Sequence, residues 1–264
     1  MTTMTVAQLR RQSYESLFWL AAREALRVTR LWSQTVLAPV VSSLLFVVVF
    51  GLSLGNRITH VGGFDYEVFI LPGLVAMAML TAAYANNSSS IFQARNDRYI
   101  DDILAAPMLP WQVDVGLTLG GVLRALMIGG ALTAIGAPLL GVPIEEPLLL
   151  VAASLGAISL FASLGVIVGI YAQSWDHHSV VSNLVIQPLA FVGGVFYSVD
   201  ILPSPWQELS HANPLFYMVD AIRHGFLGES DVSPLVSLPV TYGLAAAMFG
   251  WSVWLFRSGH KLKP

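Results

Sequence analysis

Residues 148–172 read LLLVAASLGAISLFASLGVIVGIYA and contain no charged side chain. An α-helix needs about 20 consecutive, mostly apolar residues to cross the hydrocarbon core of a bilayer. The segment therefore predicts a transmembrane helix. It also contains a G-x-x-x-G spacing, which lets helix backbones approach closely in lipid. That spacing occurs at three places in the chain, all interpreted as packing sites: Gly51–Gly55, Gly116–Gly120 and Gly165–Gly169.

The whole chain has a composition typical of a membrane protein. Hydrophobic residues make up 55% of its 264 residues and charged residues only 11%, with a mean hydropathy of +0.68. A soluble domain carries about 25% charged residues, so most of this surface is predicted to face a bilayer. The net charge of -3 predicts no binding of nucleic acid. The absence of cysteine excludes disulfides, thiolate catalysis and zinc–thiolate clusters.

Six segments are long and apolar enough, or nearly so, to cross a membrane. The second ends in ANNSSS, residues 85–90, which we expect to lie in protein or water rather than lipid. We predict an all-α integral membrane protein with a single domain over residues 1–264, comprising a cytoplasmic or interfacial helix at 1–30, a six-span core at 31–256 and a cytoplasmic tail at 257–264. The predicted spans are 31–54, 68–89, 113–140, 148–172, 180–199 and 235–256.

The basic residues predict the orientation of the chain. Six spans place both termini on one side, and that side would carry ten of the 13 lysine and arginine residues. Positive charge concentrates in cytoplasmic loops, so both termini are predicted to be cytoplasmic. The first thirty residues are polar and basic, and we do not expect them to form a cleaved signal peptide.

The stretch SYESLFWLAAREALRVTRLW, residues 13–32, has the periodicity of an amphipathic helix. Its apolar side chains favour a helix lying in the cytoplasmic membrane interface, with the arginines directed toward lipid headgroups. A cytoplasmic helix packed on a partner is the alternative. The predicted apolar face is Leu17, Phe18, Ala21, Ala25 and Val28, and the predicted basic face is Arg23, Arg27 and Arg30.

The connection between the second and third spans, RNDRYIDDILAAP at residues 95–107, concentrates charge in a chain that has little of it. It predicts a short helix over 97–106, capped at its start by Asn96 or Asp97 and stopped by Pro107. Arg98 is spaced to pair with Asp101 and Asp102. A docking element for a partner and a solvated connecting helix both fit this pattern.

Arg124 is the one basic residue inside a predicted span. A charge at that depth is expensive and is usually paired or functional. Pairing near the inner face is the favoured interpretation, and contact with a substrate is the alternative. The sequence has no P-loop and no G-x-S-x-G or H-E-x-x-H motif. His177 and His178 are adjacent, with Asp176 beside them, but the sequence offers no further ligand at a suitable spacing. We therefore predict no metal site.

Two segments resemble the ABC-2 type transporter permeases. Residues 95–116, RNDRYIDDILAAPMLPWQVDVG, are similar to that family's first cytoplasmic connection, although many members have R-E-x-G-T where this chain has RNDRY. Residues 193–228, GGVFYSVDILPSPWQELSHANPLFYMVDAIRHGFLG, resemble its most recognisable segment. The matching positions there are Gly194, Phe196, Tyr197, Leu202, Pro203, Asn213, Pro214, Tyr217 and Arg223.

The resemblance implies a separate ATPase subunit on the cytoplasmic face, which would bind the ATP and Mg²⁺ that this chain does not. It also implies a second permease copy, surrounding membrane lipids, and short re-entrant helices on the outer side between spans five and six. The residues implied in coupling to the ATPase are Arg95, Asp97, Arg98, Asp101, Asp102, Ile103, Leu104 and Pro107.

These features together predict the permease subunit of an exporter in a bacterial inner membrane, with no covalent chemistry of its own. Its substrate is expected to be apolar or amphipathic. A passive channel or structural membrane subunit is the first alternative. An intramembrane lipid-modifying enzyme is the second, and it would depend on Asp114, Arg124 and Gln187.

Overall fold

The computed structural model describes residues 6–54, 60–61 and 63–262, and it is almost entirely helical. A short antiparallel hairpin, β1 (His60–Val61) with β2 (Phe64–Asp65), separates the second and third helices. Gly55 and Arg57 lie outside the described residues. The helices are α1 (Val6–Arg30), α2 (Ala38–Leu54), α3 (Tyr66–Asn96), α4 (Ile100–Ala105), α5 (Pro110–Leu140), α6 (Pro147–Tyr171), α7 (Trp175–Val181), α8 (Gln187–Val192), α9 (Ser204–Ala212), α10 (Pro214–Leu227) and α11 (Pro234–Ser258).

Four helices in the described part of the chain are long and apolar enough to cross a membrane: α3, α5, α6 and α11. They coincide with the predicted second, third, fourth and sixth spans. A fifth crossing is added if α1 and the following helix are counted as one bent pair, with an angle of 72° between them. The prediction of an all-α membrane protein is therefore confirmed, while the count reaches four or five rather than six.

The predicted first span, 31–54, is interrupted near its start. A π-helical segment at Ser33–Leu37 precedes α2, and Pro39 is the second residue of that helix. Proline has no N–H to donate to the carbonyl four residues earlier, which here belongs to Thr35. The Thr35 carbonyl is therefore accessible to a side chain of another helix, whereas the 72° bend lies earlier, at the break between Arg30 and Ser33.

The predicted fifth span, 180–199, is not one continuous helix. Helical structure begins earlier, at Trp175, passes through a π-helical segment at Ser182–Ile186, and ends at Val192. Gly194 then adopts a φ of +78°, a conformation that favours glycine. Val199, the last residue of the prediction, lies in a separate 3₁₀ turn. Our prediction began too late and ran past the turn that ends the helix.

Helix α3 lies at the centre of the fold and packs against α2, α5, α6 and α10. Small residues allow the closest of these contacts. A Cβ at Gly165 of α6 would lie 2.5 Å from the carbonyl oxygen of Tyr84, and one at Gly169 would lie 2.7 Å from that of Ser88. This G-x-x-x-G pair is therefore the α3–α6 packing site. The ANNSSS segment lies at the same contact, largely buried in protein as predicted.

The second described G-x-x-x-G pair, Gly116 and Gly120 of α5, packs against α1. Cβ atoms at these positions would meet the side chains of Leu20 and Glu24 at less than 3.0 Å. The buried face of α1 consists of Leu20, Glu24 and Val28, while Phe18 is exposed. Of the predicted apolar face, Val28 packs within the protein and Phe18 is exposed, so the placement of this face against the membrane interface stays a prediction. The buried position of Glu24 was missed.

Candidate functional site

The connection after α3 begins differently from the predicted helix over 97–106. Helix α3 continues through Asn96, so neither Asn96 nor Asp97 caps the next helix. Arg98 has a φ of +61° and turns the chain, and α4 starts only after Tyr99. Within the described residues, Arg98 forms no ion pair with Asp101 or Asp102. The predicted side-chain pairing was therefore wrong.

Arg95 joins this connection to α6. Its Nη1 donates to the carbonyl oxygens of Gly169, at 3.2 Å, and Ala172, at 3.0 Å. These carbonyls lie at the carboxyl end of α6, where backbone acceptors lack helical partners and cations are favoured. Movement of the connection would therefore be transmitted directly to the end of α6.

The two sides of α4 differ in chemistry. Ile100 and Ile103 are buried in a cluster with residues of α1, α3, α5, α6 and α11. Asp101 and Asp102 are exposed, as is Pro107, while Leu104 is half-buried. Of the residues that the resemblance implies in coupling, Ile103 thus anchors α4 to its own chain, and the two aspartates form the accessible surface.

A groove of about 830 Å³ separates this connection from α1, and we call it the α1–α4 groove. Arg23 of α1 lies over the Tyr99 ring, 5.2 Å from its centroid. Burial raises the pKa of the Tyr99 hydroxyl, so the ring is neutral at physiological pH. The groove also contains both acidic and apolar groups, including Asp102 and Ile103, and it is lined by Trp19, Leu26, Arg27, Arg30 and Met108 as well.

A buried carboxylate fixes α1 at the bottom of this groove. Glu24 is only 1% exposed. Its Oε1 accepts from Arg23 at 2.8 Å, and its Oε2 accepts from Arg27 at 2.8 and 3.1 Å and from the Ser90 hydroxyl at 3.0 Å. Arg27 also donates to the Asn86 carbonyl at 3.4 Å. Two of the three predicted headgroup-facing arginines are thus bound to their own helix, and Glu24 ties α1 to α3.

The segment after α8 forms a compact cluster around Asn213. The Asn213 side chain caps α10 by accepting from the Leu215 N–H at 3.0 Å, and its Nδ2 donates to the Leu189 carbonyl at 2.6 Å. Pro214 occupies the first position of α10, where its missing N–H has no cost. The Tyr217 hydroxyl donates to the His211 carbonyl at 2.9 Å. These contacts join α8, α9 and α10.

Arg223 connects α10 to the glycine turn. It is buried, donates to the Gly194 carbonyl, and lies 4.0 Å from the centroid of the Phe69 ring. Asp220, one turn earlier, accepts from the backbone N–H groups of Asp231 and Val232 at 2.9 and 3.0 Å. Burial raises the pKa of Asp220 to about 6, and these hydrogen bonds oppose the shift.

The remaining motif residues have separate positions. Pro203 precedes α9, and Tyr197 is half-buried in the turn after Gly194. Phe196 stacks on Phe191 of α8, with ring centroids 5.2 Å apart and an interplanar angle of 20°. Phe196 also lines a cavity between the helices. This cavity connects the cluster around Asn213 to Arg124 of α5.

That cavity measures about 240 Å³ and lies between α2, α3 and α8. Arg124 of α5 lines it together with Gln187 and Phe196. The Nε of Arg124 donates to the Thr35 carbonyl at 3.0 Å, the acceptor that precedes Pro39. Arg124 is thus bound to a neutral group, and the same residue faces the cavity. Both interpretations of Arg124 from the sequence, pairing and ligand contact, remain open on this geometry.

The other polar groups of the core do not converge on this cavity. Asp114 is buried against α11, where its Oδ2 accepts from the Ser252 hydroxyl at 2.7 Å. Of the three residues named for an intramembrane enzyme, only Arg124 and Gln187 are brought together. Over residues 6–54, 60–61 and 63–262, no group of three or more His, Asp or Glu side chains is arranged to hold a metal ion.

Comparison with known proteins identifies the family. The ABC-2 type transporter family matches residues 15–227, which is most of the chain. This chain belongs to the ABC-2 transporter membrane family. It is 40% identical over 247 residues to the inner membrane transport permease YadH of Escherichia coli K12, with 90% of this chain and 95% of YadH covered.

More distant members of the same family are also similar. Nodulation protein J of Rhizobium leguminosarum bv. viciae is 28% identical over 204 residues, which cover 75% of this chain and 78% of that protein. Nodulation protein J of Rhizobium meliloti is 28% identical over 218 residues, covering 80% and 81%. The chain is therefore an ABC-2 permease, a multi-pass membrane protein, and its relative YadH is named as a transport permease.

The sequence analysis missed Glu24, although a signal for it was present. Leu20, Glu24 and Val28 are spaced four residues apart and so lie on one helix face. A carboxylate between two buried apolar residues at that spacing indicates a buried, paired acid. The aromatic wall of the cavity had no comparable signal, because Phe46 and Phe191 come from helices far apart in the sequence.

Proposed function

We propose that this ABC-2 permease is the transmembrane subunit of an exporter in the bacterial inner membrane, powered by ATP hydrolysis in a separate ATPase subunit. The observation that carries the proposal is the family match over residues 15–227 in a chain with long apolar helices. ATP and Mg²⁺ would bind the partner. Two permease copies would form the pathway, and the substrate would be apolar or amphipathic.

The proposed arrangement has six crossings and cytoplasmic termini. Residues 33–54, α3, α5, α6, residues 175–192 and α11 would cross the membrane, with α1 at the inner interface. Helices α9 and α10 would form the outer re-entrant cap. The re-entrant position is supported by the packing of α10 against α3, α6 and α11. Non-helical backbone is tolerated at membrane depth only where protein or water forms hydrogen bonds with its polar groups.

The ATPase would dock on the α1–α4 groove. Asp102 in the groove lining and the neighbouring exposed Asp101 offer charged partners for a protein surface. The aromatic and aliphatic lining offers apolar contact. Movement of the docked subunit would reach α3 through Glu24 and α6 through Arg95. Ile103 also lines the groove, but its main role would be to hold α4 in place, because most of its side chain is buried in its own chain.

Co-expression with a candidate P-loop ATPase of an ABC transporter from the same genome tests this proposal. The tagged permease, solubilised in detergent, is expected to retain the ATPase, and the complex is expected to hydrolyse ATP. The double variant Asp101→Asn/Asp102→Asn should retain about tenfold less ATPase, because two charge-assisted contacts are removed. Glu208→Gln/Glu229→Gln is the matched control, since it neutralises two exposed acids predicted on the opposite side.

Each outcome bears on a different part of the proposal. If the permease inserts normally and no P-loop ATPase co-purifies, the exporter proposal fails and a channel or structural subunit replaces it. If the ATPase co-purifies equally with both double variants, the exporter stands and the docking surface is wrong. Loss of ATPase with the control alone would place the docking surface on the other side of the membrane.

A further inference from the structure

The cavity beside Arg124 has a polar end and an apolar end. The polar groups are Arg124, Gln187 and the hydroxyls of Ser42, Ser43 and Thr81. The apolar wall comes from aromatic and aliphatic residues of α2, α3 and α8. Along α3 the lining extends from Leu74 to Ala85, which is about 16 Å at the helical rise. The cavity is therefore elongated along the helices and amphipathic in its lining.

Within the described residues, the charge at the polar end has no counter-charge. Arg124 is half-buried, and no carboxylate forms an ion pair with it within the described residues. The carboxylate of Glu24 is already paired with Arg27. A guanidinium has five N–H donors, and the Thr35 carbonyl occupies only the one on Nε. An anionic ligand would supply the missing charge.

The apolar part of the cavity reaches an exposed apolar surface of the helices. Phe46 of α2 and Phe191 of α8 both line it, and each is 47% exposed. Their exposed neighbours on the same helices, Leu45 and Leu184, are also apolar. A molecule entering between α2 and α8 would therefore come from the hydrocarbon of the bilayer rather than from water.

We infer that this cavity binds the acidic headgroup and adjoining chain of an anionic amphiphile dissolved in the membrane. A carboxylate, phosphate or sulfate group accepts paired hydrogen bonds from the Arg124 guanidinium, a geometry that arginine favours. The Gln187 amide is the second donor, and the hydrocarbon chain lies along Leu74 toward the Phe191–Phe196 pair.

The cavity volume sets how much of the ligand is enclosed. Sites for small molecules commonly measure about 300–1,000 Å³, so a cavity of about 240 Å³ holds the headgroup end and not a whole lipid. The inference rests on the proposed function in one respect: it takes the bound amphiphile to belong to the class of molecules that the exporter transports. Binding itself is measured on the permease without the ATPase, so the two ideas can fail separately.

Photolabelling of the full-length permease in phosphatidylcholine nanodiscs tests the inference. The probes are dodecanoate with a diazirine at the chain end, and the alcohol and trimethylammonium analogues with the same chain. We expect the acid to label the apolar lining near Leu74, Phe46 or Phe196, about tenfold more than either analogue. Inorganic phosphate should not compete, because it lacks the chain.

The variants isolate the charge of Arg124. Arg124→Gln should reduce labelling by the acid about tenfold while leaving the alcohol unchanged. Arg124→Lys keeps the charge but not the planar pair of donors, so it should restore only part of the acid's preference. Arg257→Gln, which removes an exposed arginine far from the cavity, should label like the wild type. If Arg124→Gln does not fold, the comparison of the acid, alcohol and trimethylammonium probes on the wild-type chain still tests the inference.

Three results would overturn the inference. The alcohol could label the cavity as strongly as the acid, the labelled residues could lie outside the cavity lining, or inorganic phosphate could displace the acid. The first would indicate an apolar ligand, the second would place the binding site elsewhere, and the third would indicate a site for aqueous anions. In proteoliposomes of the whole complex, stimulation of ATP hydrolysis by the acid but not the alcohol would support its identity as the transported class.

Discussion

Replacement of Glu24 by glutamine should destabilise the permease strongly, because the carboxylate is buried between two arginines. Breaking a buried ion pair costs about 3–5 kcal/mol. Here Arg23 and Arg27 are 43% and 31% exposed, so part of their charge can be hydrated again. Glutamine also keeps one acceptor for Ser90. These offsets reduce the expected loss to about 2–3 kcal/mol.

The measurement is thermal unfolding of the purified full-length chain in detergent, followed by tryptophan fluorescence. For a chain of this size, 1 kcal/mol corresponds to about 2–4 °C in Tm, so Glu24→Gln should lower the Tm by roughly 5–10 °C. The matched control is Glu15→Gln, which breaks an equally short pair with Arg11 on the same helix. The side chains of Arg11 and Glu15 are 83% and 55% exposed. Their ion pair should therefore contribute at most about 0.5 kcal/mol to the free energy of unfolding.

A double-mutant cycle with Arg27→Gln separates the ion pair from other effects of the substitution. The combined loss from Glu24→Gln and Arg27→Gln should be smaller than the sum of the single losses, since each variant already breaks the same contact. If Glu24→Gln melts at the same temperature as Glu15→Gln, the buried network does not hold α1 on α3, and the route proposed for transmitting ATPase movement is wrong.

Two further predictions concern packing and capping. Gly165→Ala should lower stability by about 1–3 kcal/mol, because its Cβ would lie 2.5 Å from the Tyr84 carbonyl oxygen. Gly130→Ala is the control and should be neutral or stabilising, because its Cβ meets open space. Equal melting temperatures of the two variants would refute the close α3–α6 contact. Asn213→Ala should cost about 1–2 kcal/mol by removing the cap of α10 and the bond to Leu189. Asn213→Asp, which keeps only the acceptor, should fall between it and the wild type, and limited proteolysis should show α9–α10 opening first in the alanine variant.

The central crossings could be predicted from sequence because each depends on local composition. The four long helices are continuous apolar runs, and hydrocarbon accepts only a helix whose backbone groups are satisfied internally. The same reasoning correctly placed the asparagine and serine residues at the end of α3 within protein. Neither conclusion required knowledge of a neighbouring helix.

Predictions that depended on helix direction or on interruptions were less accurate. The helix containing Ile103 was expected to begin at 97, but α3 continues to Asn96 and Arg98 turns the chain. The side of α4 that faces solvent follows from this turn. Ile103 therefore became part of the core, and the accessible groups are Asp101 and Asp102. The role of this connection in coupling stays a prediction.

By itself, the sequence determined that this protein is a helical membrane protein, and its motifs indicated the permease family. Only the tertiary structure decided the partners of its charges. Glu24 meets Ser90 across 66 positions and Arg124 meets Thr35 across 89. Hydrophobic periodicity acts within one helix, whereas a buried charge is satisfied by whichever group the packing brings within about 3 Å. For Arg124, that packing supplied one neutral carbonyl and an amphipathic cavity.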